Sequence, residues 1–308
     1  MEHTRISIVI PVYNSEKTIK PLVEKLISIL PAPLEIVLVN DGSWDDSDRI
    51  CCGIQKENPL CVTYVELSKN YGEHAAVMAG LNQSTGDYVV IMDDDFQNPP
   101  EEVLKLVGAA QEGHHDVVYS FYESKKHNCF RNLGSRFNSS MATVLLKKPK
   151  GLYLSSFKCV SRFLVDEIIK YDGPYPYVDG LIFRITDNYS VVQVEHDERH
   201  SGDSGYTMVK LVRLWMNMFV NFSLLPLRVT TMLGCCTSGF ALLYMVWVTV
   251  CKIFTPDLPA GWPTTVILIA FFSGAQLVML GLLGEYVGRI FLSQNKTPQY
   301  CIRNVYKT

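Results

Sequence analysis

Three consecutive aspartates, Asp93-Asp94-Asp95, followed by Phe96-Gln97, close the apolar run Tyr88-Val-Val-Ile-Met92. Adjacent like charges repel, so a strand end carrying three of them calls for something positive. Hard divalent cations such as Mg²⁺ or Mn²⁺ take carboxylate oxygens and commonly hold phosphates at the same time. Side chains alternate along an extended segment, so Asp93, Asp95 and Gln97 share one side and Asp94 faces the other. Acidic loops without a metal have the same composition, so this segment alone leaves both readings open. Asn40-Asp41-Gly42-Ser43 ends a second apolar run, Leu34–Val39. Its glycine permits a tight turn, and Asp41 can accept hydrogen bonds from a base or ribose, although an ordinary Asx turn has the same sequence. Lys125, Lys126, Arg131 and Arg136 form a basic stretch suited to an anionic group, or a solvated surface run.

Such clusters need a scaffold, and the first 120 residues supply one. Ser7–Pro11, Leu34–Val39, Cys61–Leu67 and Tyr88–Met92 read as strands. Helical patterns separate them: one through Leu22, Val23, Leu26, Ile27 and Leu30, and another over Ala75–Leu81. A further helix follows Pro99-Pro100, with Glu101 and Glu102 in its first turn, where the helix dipole favours acids. Continuous apolar strands alternating with helices predict an α/β fold whose mainly parallel sheet is covered on both faces. Ligands of such sheets collect beyond the carboxyl ends of the strands, where the polar clusters lie.

The 308 residues are 48% hydrophobic and only 19% charged, with a mean hydropathy of +0.11. This excludes a disordered or coiled-coil chain. The charge is unevenly placed: Lys252, Asp257 and Glu285 are the three charged side chains between Val229 and Tyr286. Residues 1–206 sum to −9 and residues 207–308 to +6. Two uncharged runs, Val229–Cys251 and Leu258–Gly284, each reach the roughly 20 residues that cross a bilayer core; a buried helical hairpin is the alternative. Lys210, Arg213 and Arg228 precede the first run, and Arg289, Lys296, Arg303 and Lys307 follow the second, which places both termini in the cytoplasm. Leu211, Trp215, Met218, Phe219 and Phe222 recur at helical spacing beside cations, as in an interfacial helix or one packed on a soluble core. The expected organisation is a cytosolic domain over 1–206, a juxtamembrane amphipathic helix over 207–228, a transmembrane hairpin over 229–286 and a cytosolic tail over 287–308. Nine scattered cysteines without CxxC spacing fit a reducing compartment, and no signal peptide is expected.

Four segments extend this reading: Pro11-Val12-Tyr13-Asn14-Ser15-Glu16, Asn40–Ser43, Ser68-Lys69-Asn70-Tyr71-Gly72 and Asp93–Pro99. Their order and separation resemble the inverting family 2 glycosyltransferases of GT-A fold. Arg199-x-x-Gly202-x-Ser204-x-Tyr206, Asn221–Arg228, the paired apolar runs and Gly284-Glu-Tyr-Val-Gly-Arg289 are similar to the polyprenyl-phosphate subgroup. That subgroup includes dolichol-phosphate mannose synthase, bactoprenol glucosyl transferases and the formamido-arabinose transferase of lipid A modification.

The resemblance implies that Pro11, Tyr13, Glu16 and Asp41 hold the nucleoside, with Lys69 and Asp94 beside them. It implies that Asp93, Asp95 and Gln97 bind Mg²⁺ or Mn²⁺, that Arg199 closes over the donor phosphates, and that Arg131 and Ser135 receive the lipid phosphate. The sequence departs from the family in three places. Asp94 replaces a small residue, Lys69 stands where arginine is common, and Ser155-Ser156-Phe157-Lys158 occupies the place of Gly-Asp-Phe-Arg. Ser156 thus replaces an aspartate often regarded as the catalytic base, and Ser156 or Asp179 is expected to position the sugar or the lipid phosphate. The implied partners are a nucleotide-sugar donor, a polyprenyl-phosphate acceptor and the bilayer of a bacterial inner membrane, with no nucleic acid. Gly281, Gly284 and Gly288 permit a homo-oligomer. A processive synthase shares the fold but carries a Gln-x-x-Arg-Trp motif absent here. A non-enzymatic lipid-binding or flippase-associated protein with a decayed transferase domain is the rival of a different class.

Overall fold

Branched apolar side chains that must be buried on both faces set the centre of the fold. In the computed structural model, which describes residues 4–122, 152–195, 225–254 and 261–307, β1 (Ile6–Val12) and β2 (Leu34–Asn40) are buried almost throughout. They are joined by α1 (Ile19–Ile29), which turns Ile19, Leu22, Val23 and Leu26 inward. The chain continues through α2 (Ser47–Glu57), β3 (Val62–Leu67), α3 (Glu73–Gln83), β4 (Tyr88–Ile91), a 3₁₀ turn at Pro100–Glu102 and α4 (Val103–Glu112). Then come β5 (Val117–Phe121), β6 (Lys158–Ser161), α5 (Arg162–Ile168), α6 (Val178–Ile185) and β7 (Tyr189–Gln193). Two long helices follow, α7 (Leu225–Phe254) and α8 (Trp262–Gln294), and β8 (Ile302–Tyr306) ends the chain.

The eight strands form one sheet in the order β7-β5-β6-β4-β1-β2-β3-β8. The central strands β4, β1, β2 and β3 are parallel, whereas β6 runs antiparallel to both β4 and β5, and β8 antiparallel to β3. The expected mainly parallel α/β sheet is therefore present, with antiparallel additions on both sides. Helix α3 lies close against it because Gly80 has no Cβ: one built there would come within 2.3 Å of Val9 Cγ1.

The chain forms two compact units, Met1–Thr207 with Lys296–Thr308, and Met208–Asn295. The C-terminal segment, expected as a separate tail over 287–308, thus divides: α8 runs on to Gln294, and the residues beyond it add an edge strand to the first unit. Within the second unit, one helical segment among the described residues, Phe271–Gln294, is long and apolar enough to cross a membrane. It overlaps the expected run 258–284 and lies within α8. The amphipathic helix expected within 207–228 lies largely outside the described residues.

Candidate active site

The four sequence clusters converge at the carboxyl ends of β1, β2, β3 and β4, as the parallel order requires. Asp41, just beyond β2, is buried. Its Oδ1 accepts the Tyr71 backbone N–H at 2.7 Å and its Oδ2 that of Gly72 at 2.8 Å. Its own N–H donates to the Val12 carbonyl at 2.9 Å. One aspartate therefore ties the loop after β3 to the ends of β1 and β2. Burial raises the Asp41 pKa, against the two amide hydrogen bonds that favour its charged form. Gly42 makes this closeness possible: its φ is +67°, and a Cβ there would meet the Asn70 nitrogen at 2.6 Å.

The loop after β1 is fixed from two sides. Asn14, at φ 57°, accepts the Trp44 N–H on Oδ1 at 3.1 Å and donates its N–H to Ser43 Oγ at 3.1 Å. Glu16 is exposed and accepts the Asp46 N–H at 3.3 Å. Tyr13 keeps 49% of its surface exposed beside this loop and Trp44 keeps 80%, and Pro11 is half-buried within β1. Lys69 is exposed, with its ammonium 5.1 Å from the Tyr71 ring.

Asp93 and Asp94 point to opposite sides, as expected, although the chain bends from Asp94 onward instead of staying extended. Asp94 turns back to the β1 loop, where its Oδ2 accepts Ser15 Oγ–H and the Tyr13 N–H. Asp93 turns to the other side and accepts Ser156 Oγ–H at 2.5 Å. The antiparallel register explains this pair: Ile91 lies opposite Lys158, so continuing the ladder by two residues brings Asp93 opposite Ser156. Asp95 accepts the Gln97 N–H at 3.1 Å in an Asx turn, and Phe96 between them has a φ of 61°. Asp94, grouped by the sequence with the nucleotide ligands, thus has a carboxylate oxygen engaged in holding the β1 loop.

Asp179, in the first turn of α6, pairs with the same Lys158 whose charge acts on Asp93. Its Oδ1 accepts the Tyr119 hydroxyl at 3.0 Å and the ammonium of Lys158. Both members of the ion pair are buried, and Lys158 also lies 5.3 Å from the Tyr119 ring centroid. Sequence reading missed Lys158, although a lysine inside the apolar Phe157–Val160 run was the available signal. Alongside, His74 meets the Tyr177 ring edge-on at 4.8 Å, and burial lowers its pKa to about 4. Arg131, Ser135 and Arg199 lie outside the described residues.

Among the described residues, no three His, Cys, Asp or Glu side chains form a ready-made metal cage. The residues present nonetheless suit a hard cation completed by a substrate. Mg²⁺ and similar ions are often held by one or two carboxylates together with substrate phosphates. The acidic run is also short of positive charge. Burial and the charge of Glu73 push Asp93 up to about 6, with Asp95 adding to the rise and Ser156 and Lys158 opposing it. Burial pushes Asp94 up to about 7, against its hydrogen bonds from Ser15 and Tyr13.

A test follows from the signs. Both folded pKa values lie above the ordinary 3.8, so the folded state binds more protons than the unfolded chain between these values. The stability these groups contribute is complete below the unfolded pKa and is lost as pH rises through 6 and 7. In metal-free buffer the melting temperature of the first unit should therefore fall between pH 5 and pH 8. Mn²⁺ should restore it at pH 8 and have little effect at pH 5, where protonated carboxylates bind metal poorly. Equal stabilisation by Mn²⁺ at both pH values would contradict this assignment.

A parallel sheet with its polar loops at the carboxyl ends, an aspartate-locked turn and an acidic run after β4 define a nucleotide-sugar-binding domain of GT-A type. Solved structures carry the same fold. Glucosyl-3-phosphoglycerate synthase from Mycobacterium tuberculosis in complex with UDP gives a TM-score of 0.52 at 18% identity, covering 70% of this chain and 79% of that one. The same synthase with Mn²⁺ and UDP-glucose gives 0.51 at 20%, covering 77% and 80%.

Residues 7–169 match Glycosyl transferase family 2, and the chain belongs to that family. Its relatives include the undecaprenyl-phosphate 4-deoxy-4-formamido-L-arabinose transferases of Yersinia enterocolitica and Proteus mirabilis. Each is 34% identical over 98% of this chain, covering 93% and 94% of the relative respectively. The chain is a glycosyltransferase.

Proposed function

We propose that this enzyme transfers one sugar from a UDP- or GDP-sugar to a polyprenyl phosphate such as undecaprenyl phosphate, at the cytoplasmic face of a bacterial inner membrane. The product is a β-linked polyprenyl phosphosugar for cell-envelope glycan modification. The observation that carries this reading is that one chain joins a nucleotide-sugar domain to a helical unit whose large apolar side chains are exposed, among them Phe240, Leu243, Trp247, Phe271, Leu277 and Ile290. Exposed apolar surface on that scale is the mark of a membrane or another partner, and the relatives named above, whose names specify an undecaprenyl-phosphate acceptor, share nearly the whole length.

Strand β8 supports two spans rather than one. The first unit ends at Thr207 and resumes at Lys296, and its two parts share a sheet, so any bilayer crossings between them must be even in number. If Phe271–Gln294 is one crossing, α7, which is 30 residues long, supplies the other. The organisation proposed is a cytosolic GT-A domain, an interfacial helix, a transmembrane pair and a returning strand, with both termini cytoplasmic.

In this reading a phosphate oxygen of the lipid attacks C1 of the sugar from the face opposite the nucleotide. The C1–O bond to the diphosphate breaks, and the anomeric centre inverts. Mg²⁺ or Mn²⁺ held by Asp93, Asp95 and Gln97 would neutralise the departing nucleoside diphosphate. Asp41 holds the loops that frame the nucleoside, and Asp94 holds the β1 loop beside them. A phosphate monoester has a second pKa of about 6, so the acceptor is already ionised near neutrality. Ser156 need not take a proton, and its hydroxyl proton is directed at Asp93.

Ser156→Ala should therefore reduce turnover by less than about tenfold and leave the pH–rate profile in place, because loss of a true general base costs about 10²–10⁴-fold. A loss in that larger range, with a shifted profile, would assign proton transfer to this position. The reading as a whole is tested by nucleoside diphosphate release from the preferred donor. Release should require added polyprenyl phosphate, and release that ignores the lipid would count against it.

A further inference from the structure

The edge strand β8 carries a bulge directly beside the loop that Asp41 anchors. Its ladder with β3 pairs Glu66 with Asn304 but Leu67 with Ile302, so Arg303 is the extra residue, left out of the pairing. A bulge at a sheet edge re-aims the side chain it carries. Here the Arg303 guanidinium donates to Glu66 Oε1 at 3.2 Å through Nη1, and to the Ser68 carbonyl at 3.2 Å through Nη2. The Ser68 N–H in turn donates to the Cys301 carbonyl at 2.9 Å. Ser68 is thus gripped by β8 through both its backbone polar groups.

From Ser68 the connection runs on into the site. Its hydroxyl lies 2.9 Å from the Tyr71 hydroxyl, and the backbone N–H groups of Tyr71 and Gly72 are the two that Asp41 accepts. Stacking of Tyr306 on Tyr64, with centroids 5.5 Å apart, fixes the far end of the strand. We propose that Arg303 is a positioning residue for nucleoside diphosphate binding, holding the 68–72 loop in the geometry that Asp41 completes. Arg303 then supports the donor site from a position separated from the rest of that site in sequence by the whole helical unit. By thermodynamic reciprocity, nucleotide binding should tighten the docking of β8.

This inference rests on the nucleotide reading of the loop. Asn304 provides a built-in control: it lies on the same strand, and its side chain donates to Glu66 Oε2 at 2.8 Å and not to Ser68. Arginine's fork spans two acceptors, whereas a lysine ammonium is a point charge without that geometry. The experiment measures Kd for UDP and for GDP, each with Mn²⁺, on the full-length protein in detergent. The variants are Arg303→Ala, Arg303→Lys and Asn304→Ala, with thermal melts on each.

The wild type should bind one of the two nucleotides. Arg303→Ala and Arg303→Lys should weaken that binding by about five- to twentyfold, with kcat at saturating donor within twofold, and Asn304→Ala should stay within twofold in Kd. Amide exchange over Ile302–Tyr306 should slow when nucleotide is added. Unchanged Kd in the Arg303 variants would overturn the proposal. So would equal weakening by Asn304→Ala, which would assign the effect to the edge strand as a whole. Should Arg303→Ala fail to fold, Arg303→Lys carries the test. A wild type that binds neither nucleotide would overturn the underlying nucleotide reading instead.

Discussion

Asp95→Asn should lower kcat by about 10²-fold or more, the scale on which losing one preorganised electrostatic contact to developing charge is felt. The substitution keeps size and hydrogen-bonding shape, and the Asx-turn acceptor for the Gln97 N–H at 3.1 Å survives as the amide oxygen. What is lost is one negative charge in the acidic run proposed to hold the metal. The expected signature is a lower kcat, a much higher Mn²⁺ requirement and, in metal-free buffer, a melting temperature at or above that of wild type, because one of three mutually repelling carboxylates has lost its charge. Steady-state kinetics across a metal titration separates these. Undiminished turnover with full metal dependence would remove Asp95 from the metal site.

Lys158→Met should destabilise the first unit by about 3–5 kcal/mol, the cost of leaving one member of a buried ion pair uncompensated. Lys158 and Asp179 have side chains only 4% and 8% exposed, so solvent offers the stranded Asp179 carboxylate little relief. For a domain of this size that corresponds to a fall in melting temperature of about 10 °C. The paired change Lys158→Met with Asp179→Leu should regain much of the stability, because two apolar groups replace two mutually dependent charges. Denaturant unfolding of both variants checks this. A single mutant as stable as wild type would show that the pair is not what holds β6 to α6.

The centre of the fold was legible because its signals are local. Apolar runs such as Ser7–Pro11 and Leu34–Val39 end abruptly in polar clusters, and parallel order then forces those ends together. Helix α2, Ser47–Glu57, was not anticipated: it is polar, has Gly53 in its middle, and owes its place to packing against its neighbours. Strand β8 was read as a tail because its partner, β3, lies more than 200 residues earlier, and edge pairing leaves little pattern in five residues. The same non-local cause hid the roles of individual site residues. Asp41 reads equally as a partner for a base or as an Asx turn, and the Tyr71 and Gly72 backbone amides that its carboxylate accepts are partners no sequence displays. Ser156 stands where a catalytic base is common, and the β4–β6 register that makes it the hydrogen-bond donor to Asp93 is not visible in the sequence.

The central claim is that a nucleotide-sugar site of this fold serves a lipid phosphate. Its most direct test incubates the purified full-length protein with Mn²⁺, undecaprenyl phosphate and a panel of UDP- and GDP-sugars labelled in the sugar. One donor should yield an organic-extractable labelled lipid, formed one-for-one with nucleoside diphosphate and carrying the sugar in inverted, β configuration. No labelled lipid from any donor, under conditions where a family relative produces one, would contradict the account.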